Sequence, residues 1–464
     1  MLPQEPTMSA REVYRKFLDE LPQVGPGTTG GTMLRRYWHP VCFSHELRDV
    51  PIAVRMLGED LVLFRDGGGK PGLLGLHCSH RLGSLEYGQI KDDGLMCSYH
   101  GWRYDTQGHL IDAPLEPADS PLKRIVTHPW YPVREWAGIL WTYMGLEKEN
   151  PPPLPRIDVL ASHKSEGVVY MSRGDIRNYN YLNWLENFAD QGHVPVLHTL
   201  TYRDVPEDLT PYCDLTVNWS RYPQLYNAET DYGLKHVAVW DTGDPDVKYV
   251  NVWSIAMPTH WRFSSYPGAA MDFSADRREG GGMLRIIDDT HFELFRCFLY
   301  REGNWMPPRE RSLEEKGLVT VTKDGFRIVP PPEIKFAGAK AAYDHRKYAG
   351  FEGDVKAEDL VMQETQGALY DRGEEHLGKS DSGVILLRKV WRDAMEAVAE
   401  GRDPKGAGRE DRGVLDVDTY RGPLNVSELH VGRENLPSFI GGNGLIRDKS
   451  GNLVFSGPKT LAGS

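Results

Sequence analysis

His77-Cys78-Ser79-His80-Arg81 and Cys97-Ser98-Tyr99-His100-Gly101-Trp102 decide how this chain is read. Each stretch offers one thiolate followed closely by one imidazole, and residues 81–96 separate the two pairs. Two thiolates and two imidazoles, one of each per short loop, suit a cluster whose two irons need different ligands. Each loop then donates one ligand to each iron, so both pairs read Cys-then-His. Zinc also accepts two cysteines and two histidines. Its loops, however, usually keep like ligands together, as C-x₂₋₄-C followed by H-x₃₋₅-H. The order found here favours the iron pair; a zinc-stabilised binding module is the alternative, and it would be colourless where an iron–sulfur protein is red-brown.

A [2Fe–2S] centre with Cys₂ on one iron and His₂ on the other is a Rieske centre. Cys78, His80, Cys97 and His100 are its candidate ligands. The respiratory-chain Rieske proteins that this pattern resembles carry two further cysteines, bridged across the loops. The matching positions here are Gly83 and Tyr99, so no such bridge forms. Fewer polarising groups and a more exposed cluster set the potential toward the lower end of the Rieske range, about −150 mV. That suits a donor to an oxygen-activating site better than a quinol oxidase.

The chain has 464 residues, 40% hydrophobic and 26% charged, enough for two or three domains with sizeable cores. The polar start lacks the apolar stretch of a signal peptide, and no apolar run approaches the ~18 residues of a membrane span. Of five cysteines, Cys42, Cys213 and Cys297 have no obvious pairing, which points to a reducing cytoplasm. A net charge of −12 argues against a nucleic-acid partner.

Short strand-like runs punctuated by Gly and Asp extend from Met33 to about Glu147 and predict a small antiparallel β domain with the ligand loops at its tips. Lys148–Pro155 (KENPPPLP) is a proline-rich break. The expected organisation is an N-terminal extension (1–32), the β domain (33–150), a second domain mixing strands and helices (151–400) and an extended, surface-wrapping tail (401–464). The clearest helix runs from about Ser382 to Glu400, with Val384, Leu387, Trp391, Ala394 and Val398 at three- and four-residue spacing. Ser380 or Asp381 can cap it and Gly401 ends it.

A second metal site is read from Asn180–His198 (NYLNWLENFADQGHVPVLH). Glu186, Asp190 and His193 recur at i, i+4 and i+7, on one helical face. His198 lies five residues beyond His193, about 140° away on an ideal helix. The two rings converge only if the helix is interrupted, and Pro195 is the candidate interruption. Two histidines and a remote carboxylate would make a 2-His-1-carboxylate site with open positions, the geometry of non-haem Fe(II) oxygenases. The bland reading is a helix whose histidines cap or fill the core.

The run N-x₅-E-N-F-x-D-x₂-H-x₄-H, as Asn180, Glu186, Asn187, Phe188, Asp190, His193 and His198, resembles the iron-binding signature of Rieske non-haem iron ring-hydroxylating oxygenases. MLRRYW (33–38), LGEDLVLFRD (57–66), CSYHGWRYD (97–105), IIDDTH (286–291) and MQETQGALYDRGEEHLGKSD (362–381) are similar to the phthalate-dioxygenase-type branch. The likeness spans about residues 28 to 400. It implies an α+β fold, with an N-terminal antiparallel Rieske domain and a C-terminal catalytic domain whose antiparallel sheet is covered by helices. It also implies mononuclear Fe(II) on His193, His198 and Asp359, with Asp288, Asp289, Asp354 and Glu364 as rivals for the acid. By the same likeness Asp190 is not a ligand. It bonds His193 and a cluster histidine, the match of His100, from a neighbouring subunit, which makes a trimer or hexamer the working unit.

The implied activity is that of a terminal oxygenase using O₂ as co-substrate. NADH electrons would arrive through a separate flavin and iron–sulfur reductase or ferredoxin, because the chain has no Rossmann fingerprint. Ring dihydroxylation of an aromatic carboxylate leads, with O-demethylation or hydroxylation of a methoxy-aromatic acid as the alternative. A pure Rieske electron carrier would leave everything after the proline break without a purpose. Candidate cations for a substrate carboxylate are Arg221, Lys235, Arg262, Arg285 and Arg296, interleaved with Tyr226, Trp240, Trp253 and Phe295. Asp231–Lys235 resembles the phthalate-type segment but offers lysine where arginine would grip bidentately.

Overall fold

The computed structural model describes residues 9–198, 223–265, 278–301, 308–331, 355–411, 413–415, 417, 419–425, 445–447 and 453–455. The fold is α+β. In the N-terminal half, Trp38–Phe43, Ile139–Tyr143 and Val133–Trp136 make one small antiparallel sheet. Ile52–Met56, Glu59–Arg65, Pro71–Gly75 and Trp130–Tyr131 make a second. Gln89–Lys91, Gly94–Met96, Arg103–Tyr104 and Leu110–Asp112 make a third. Two tight hairpins set the register: Leu57-Gly58 and Ala137-Gly138 each place both central residues at positive φ (47° and 79°, 55° and 71°). That is the type I′ geometry whose twist matches paired strands.

The second half is organised by one large sheet. Its strand order is Gln224–Glu229, Gly233–Asp241, Val247–Ala256, His260–Ser265, Arg278–Asp288, His291–Arg301, Gly167–Arg177, Arg327–Ile328 and Thr320–Val321. Side chains alternate between its two faces. One face, with Leu234, Ile255, Trp261, Leu284, Phe292 and Leu294, packs on Leu182, Leu185, Phe188, Leu360, Leu387 and Trp391 of the helices Tyr181–Ala189, Val355–Thr365 and Ser382–Ala399. The other, with Met171, Met283, Phe295 and Cys297, packs on Trp38, Phe43, Ile139 and Trp141 of the N-terminal sheets. Among the described residues, no helix is long and apolar enough to cross a membrane.

The Ser382–Ala399 helix buries Val384, Leu387, Trp391 and Ala394 as its spacing predicts. It ends at Gly401 (φ 75°), where Arg402 N–H donates to the Ala397 carbonyl (2.8 Å) and Gly401 N–H to that of Val398 (3.0 Å). This is a Schellman stop, which needs the left-handed residue. Asp381 occupies the N-cap position without a side-chain cap bond. Two stretches read as extensions carry regular structure. Ala10–Glu20 is a helix closed by a Ser9–Glu12 capping box, burying Phe17 and Leu18. Tyr420–Asn425 pairs antiparallel with Val247–Val252 in the large sheet.

A buried charge network joins the helices. Glu186 accepts from Arg372 (2.9 Å) and Arg388 (2.7 Å), and Arg388 also bonds Glu375 (2.6 Å). Burial opposes ionisation of Glu186, but the two guanidiniums overcome it and hold the carboxyl below its ordinary range. Glu186→Gln leaves two buried guanidiniums short of a counter-charge, so the expected loss is about 3–5 kcal/mol, read as a lower denaturation midpoint. Because the folded-state carboxyl titrates low, this stabilisation is present at neutral pH and is lost as the pH falls through the folded value.

Candidate metal centres

The two Cys-His loops are built alike. Cys78 N–H donates to the Gly83 carbonyl (2.9 Å) and Leu82 N–H to that of Cys78 (2.9 Å). Cys97 N–H donates to Trp102 (2.7 Å) and Gly101 N–H to Cys97 (3.0 Å). Leu82 and Gly101, at the same place in each loop, both have positive φ (58° and 77°). The pinched loops bring His80 and His100 edge to face at 4.6 Å, with Trp102 stacked flat on His80 at 4.5 Å. Cys78 and Cys97 are buried, and His80 Nδ1 is a buried ring nitrogen without a hydrogen-bond partner. Two thiols, two imidazoles and an orphaned nitrogen fit a [2Fe–2S] cluster. A Cβ at Gly83 would lie 3.6 Å from Tyr99 Cβ, within disulfide reach. The two positions do face each other, and their residue types preclude the bridge.

The helix Tyr181–Ala189 starts at Asn180, whose side chain accepts from Leu182 N–H, and stops at Asp190. Asp190 leaves helical geometry (φ −101°, ψ 104°) and its Oδ1 accepts from Gly192 N–H at 2.6 Å. A short second helix, Val194–Leu197, follows with Pro195 in its first turn. The interruption therefore falls at 190–193, ahead of Pro195 rather than at it. Proline sits well in a first turn, where its missing N–H costs nothing. Glu186, on the unbroken helix, points into the arginine network instead of toward His193.

The break brings His193 and His198 to a ring separation of 5.2 Å. Asp359, on Val355–Thr365, places Oδ1 at 3.2 Å from His198 Nε2 and 3.5 Å from His193 Nε2. One ligand atom from each of the three lies within 4.8 Å of the others, and Asp359 Oδ1 is buried without a hydrogen-bond partner. Burial disfavours charge on His193, yet Asp190 and Asp359 outweigh it and push the imidazole up to about 10. His198 is raised against burial by Asp359 and Glu358; Asp359, despite burial, is held far below the carboxylate range by both rings. The pocket favours positive charge among these three residues, and two imidazoles with one carboxylate fit Fe(II).

Glu358 is the residue that sequence reasoning missed. Its side chain is fully buried and its Oε2 lies 2.6 Å from His198 Nδ1. Asp190 stands at 3.5 Å from His193 Nδ1, so each histidine has a carboxylate behind it. The available signal was an acid next to Asp359 between Ala357 and Leu360, both of which are buried. Of the rivals, Asp288 accepts from Thr290 and His291 in a turn, and Asp289 accepts from Val24 N–H. Glu364 is absent from the converging group, and Asp354 lies outside the described residues.

The sheet face toward these helices is aromatic. Phe188 stacks on Trp184 (5.5 Å, 9°) and on Trp253 (5.1 Å, 22°), and Trp261 stacks on Phe263 (5.7 Å, 9°). Gly280 and Gly282 let these rings lie against backbone. A Cβ at Gly282 would stand 2.7 Å from Trp261, and one at Gly280 2.8 Å from Phe263. Asn251 Oδ1 on this face is buried without a partner. Its orientation is fixed, because Gln191 Nε2 donates to the His236 carbonyl (3.2 Å) and so Gln191 Oε1 accepts from Asn251 Nδ2 (3.2 Å).

The register sorts the candidate cations and rings. Lys235, Arg262 and Arg285 project from the opposite face, where Arg262 pairs with Asp158 (2.8 Å) and Arg285 with Glu293 (2.9 Å). Phe295 and Tyr226 are on that opposite face too, whereas Trp240 and Trp253 share the helix-facing side. Arg296, paired with Gly282, projects toward the helices. Arg221 and Cys213 lie outside the described residues.

The Rieske [2Fe-2S] domain family matches residues 37–131, and the family described as LigXa C-terminal domain like matches residues 318–428. Strands, pinched loops and the Cys-His pairs thus define a Rieske protein whose second half gathers two histidines and a carboxylate. The chain is 32% identical over 446 residues to the tert-butanol monooxygenase/tert-amyl alcohol desaturase oxygenase subunit of Aquincola tertiaricarbonis, covering 94% of this chain and 87% of that one. It is 38% identical over 426 residues to the 3-chlorobenzoate-3,4-dioxygenase oxygenase subunit of Comamonas testosteroni, covering 85% and 91%. The solved structure of NdmB from Pseudomonas putida CBB5 shares the fold at a TM-score of 0.56 and 20% identity, covering 84% and 98%. The chain belongs to the Rieske non-haem iron oxygenases and is an oxygenase.

Glu358→Gln preserves shape but removes the charge behind His198. Iron affinity should fall by about 10- to 100-fold, measured by chelator competition, with the cluster spectrum unchanged.

Proposed function

We propose that this chain is the terminal oxygenase of a multicomponent system, taking NADH-derived electrons from a separate flavin and iron–sulfur reductase or a ferredoxin, and hydroxylating an aromatic carboxylate. The convergence of His193, His198 and Asp359 beside an aromatic sheet face carries this reading. Cys78, His80, Cys97 and His100 hold the cluster and His193, His198 and Asp359 the iron; when bound, these groups supply single electrons and dioxygen activation. Glu358 accepts from His198 Nδ1 and the Asp190 carboxylate stands behind His193 Nδ1 at 3.5 Å, which keeps each Nε2 turned toward Asp359. Phe188, Trp253, Trp261 and Phe263 exclude water and offer flat apolar surface to an aromatic ring. Arg296, the described candidate cation on the helix-facing side, offsets the desolvation of the substrate carboxylate. Asn251 Oδ1 accepts from a ring hydroxyl. Asp190 couples to the cluster of a neighbouring subunit, as the family resemblance implies, so the working unit is a trimer or hexamer.

Ring dihydroxylation is the leading reaction, supported by the likeness to the 3-chlorobenzoate-3,4-dioxygenase subunit. A second reading is monooxygenation, supported by the monooxygenase relative that matches 94% of the chain, with O-demethylation or hydroxylation of a methoxy-aromatic acid as its form here.

His193→Ala, His198→Ala and Asp359→Ala should each lose about one iron per subunit and all turnover while keeping the cluster. Full iron and activity in Asp359→Ala would assign the third ligand to another acid. For Asp190→Asn, both metals should remain and cluster reduction stay near normal, with turnover lower by orders of magnitude; a fully active monomer contradicts the coupling. Substrate-dependent NADH consumption, assayed with a surrogate reductase, should appear with hydroxylated or methoxylated aromatic acids and not with the matching hydrocarbons. A preference for naphthalene over every acid tested would refute the substrate class alone.

A further inference from the structure

His128 belongs to none of the groups assigned so far, yet it is 1% exposed and sits directly behind the first cluster loop. Its Nε2 lies 2.8 Å from the Gly75 carbonyl, and its Nδ1 lies 2.7 Å from Ser79 Oγ. A carbonyl only accepts, so the ring proton is on Nε2. Burial lowers the basicity of His128 and keeps the ring neutral, so Nδ1 accepts from the Ser79 hydroxyl. The imidazole thereby ties the Cys78-Ser79-His80 loop to the end of strand Pro71–Gly75. It is itself held by its own N–H, which donates to Gly108 (2.7 Å).

The same ring stacks on Tyr104 at 4.7 Å and 30°. Tyr104 is fully buried, and its hydroxyl lies 3.2 Å from the Sγ of Cys78, the neighbour of Ser79 in the loop. A thiolate ligand carries no proton, so the phenol is the donor in that contact. Its aim depends on two things: where the Tyr104 ring stands and where the Cys78-Ser79 segment stands. His128 touches both. A hydrogen bond to a ligand sulfur stabilises the more negative, reduced cluster and raises its potential.

We propose that His128 is a positioning residue for the reduction potential of the cluster: by gripping Ser79 and stacking on Tyr104 it keeps the phenol hydrogen bond on Cys78. The proposal rests on Cys78 being a cluster ligand, which the electron paramagnetic resonance signal of the loaded protein checks separately.

The test is a spectroelectrochemical titration of the loaded, full-length protein and of Tyr104→Phe, His128→Ala, Ser79→Ala and the His128→Ala/Tyr104→Phe double variant. Tyr104→Phe should lower the potential, so that the reduced-to-oxidised ratio at a fixed poise falls about tenfold, as expected for losing one hydrogen bond to a charged group. His128→Ala and Ser79→Ala should shift it in the same direction by about twofold or more. The double variant should titrate with Tyr104→Phe alone, because both changes act through one bond. An unchanged potential in loaded His128→Ala, or additive shifts in the double variant, overturns the proposal. A merely structural His128 would lower cluster occupancy and leave the potential of the loaded fraction where it was. Should His128→Ala fail to load, Ser79→Ala decides: it removes only one hydroxyl, on an exposed residue, and an unchanged potential there also overturns the proposal.

Discussion

Asp359 places a buried carboxylate oxygen, Oδ1, between two imidazoles, and the second half of the chain is arranged to hold it there. A charge in that position is costly unless it is met by opposite charge and hydrogen bonds. The rings that meet it come from a helix that has to stop at Asp190, turn through Gly192 and restart at Val194. The carboxylate comes from a helix far along the chain. Leu182 and Leu185 from the first helix and Leu360 from the second belong to one continuous core, closed by the Ser382–Ala399 helix and one face of the large sheet. Glu186, clamped by Arg372 and Arg388, ties the first helix to the last. Glu358 and Asp190 extend the same logic outward, one carboxylate behind each imidazole.

One sheet serves two neighbours. Its helix-facing side is aromatic, smooth and backed by glycine. Its other side is welded to the N-terminal sheets by Met283, Phe295 and Cys297 and by an ion-pair chain from Arg285 through Glu293 and Arg173 to Glu46. Period-two alternation makes this division possible, since adjacent residues such as Arg285 and Ile286 face opposite partners.

Much of the candidate site was legible because residue types suited to metal ligation recur at short spacings, and the fold brings each set together. Cys78, His80, Cys97 and His100 were found that way, and so were His193 and His198. The Ser382–Ala399 helix was equally plain, since its apolar stripe and stop glycine are local features. What local spacing could not give was direction. Pro195 looked like the helix breaker, but the break is made by the Asp190 carboxylate capping Gly192, a side-chain contact invisible to periodicity. Arg262 and Arg285 stood among the candidate cations because their partners, Asp158 and Glu293, are identified only by fold and register. Glu358 stood beside a candidate ligand and still went unassigned, because its role depends on which way one helix is rotated. Tyr420–Asn425 lacked the apolar richness of a core strand, and its pairing is a tertiary fact.

Gly280 and Gly282 give the aromatic face a one-way evolutionary history. A wall made of bare backbone cannot be cut back any further. Variation there can only add atoms, and each added methyl would push Trp261, Phe263 or Phe298 out of place. Descendants of this chain that accept bulkier molecules must gain room elsewhere, by trimming a ring or moving a helix, while those that narrow their diet need a single base change at one of these codons.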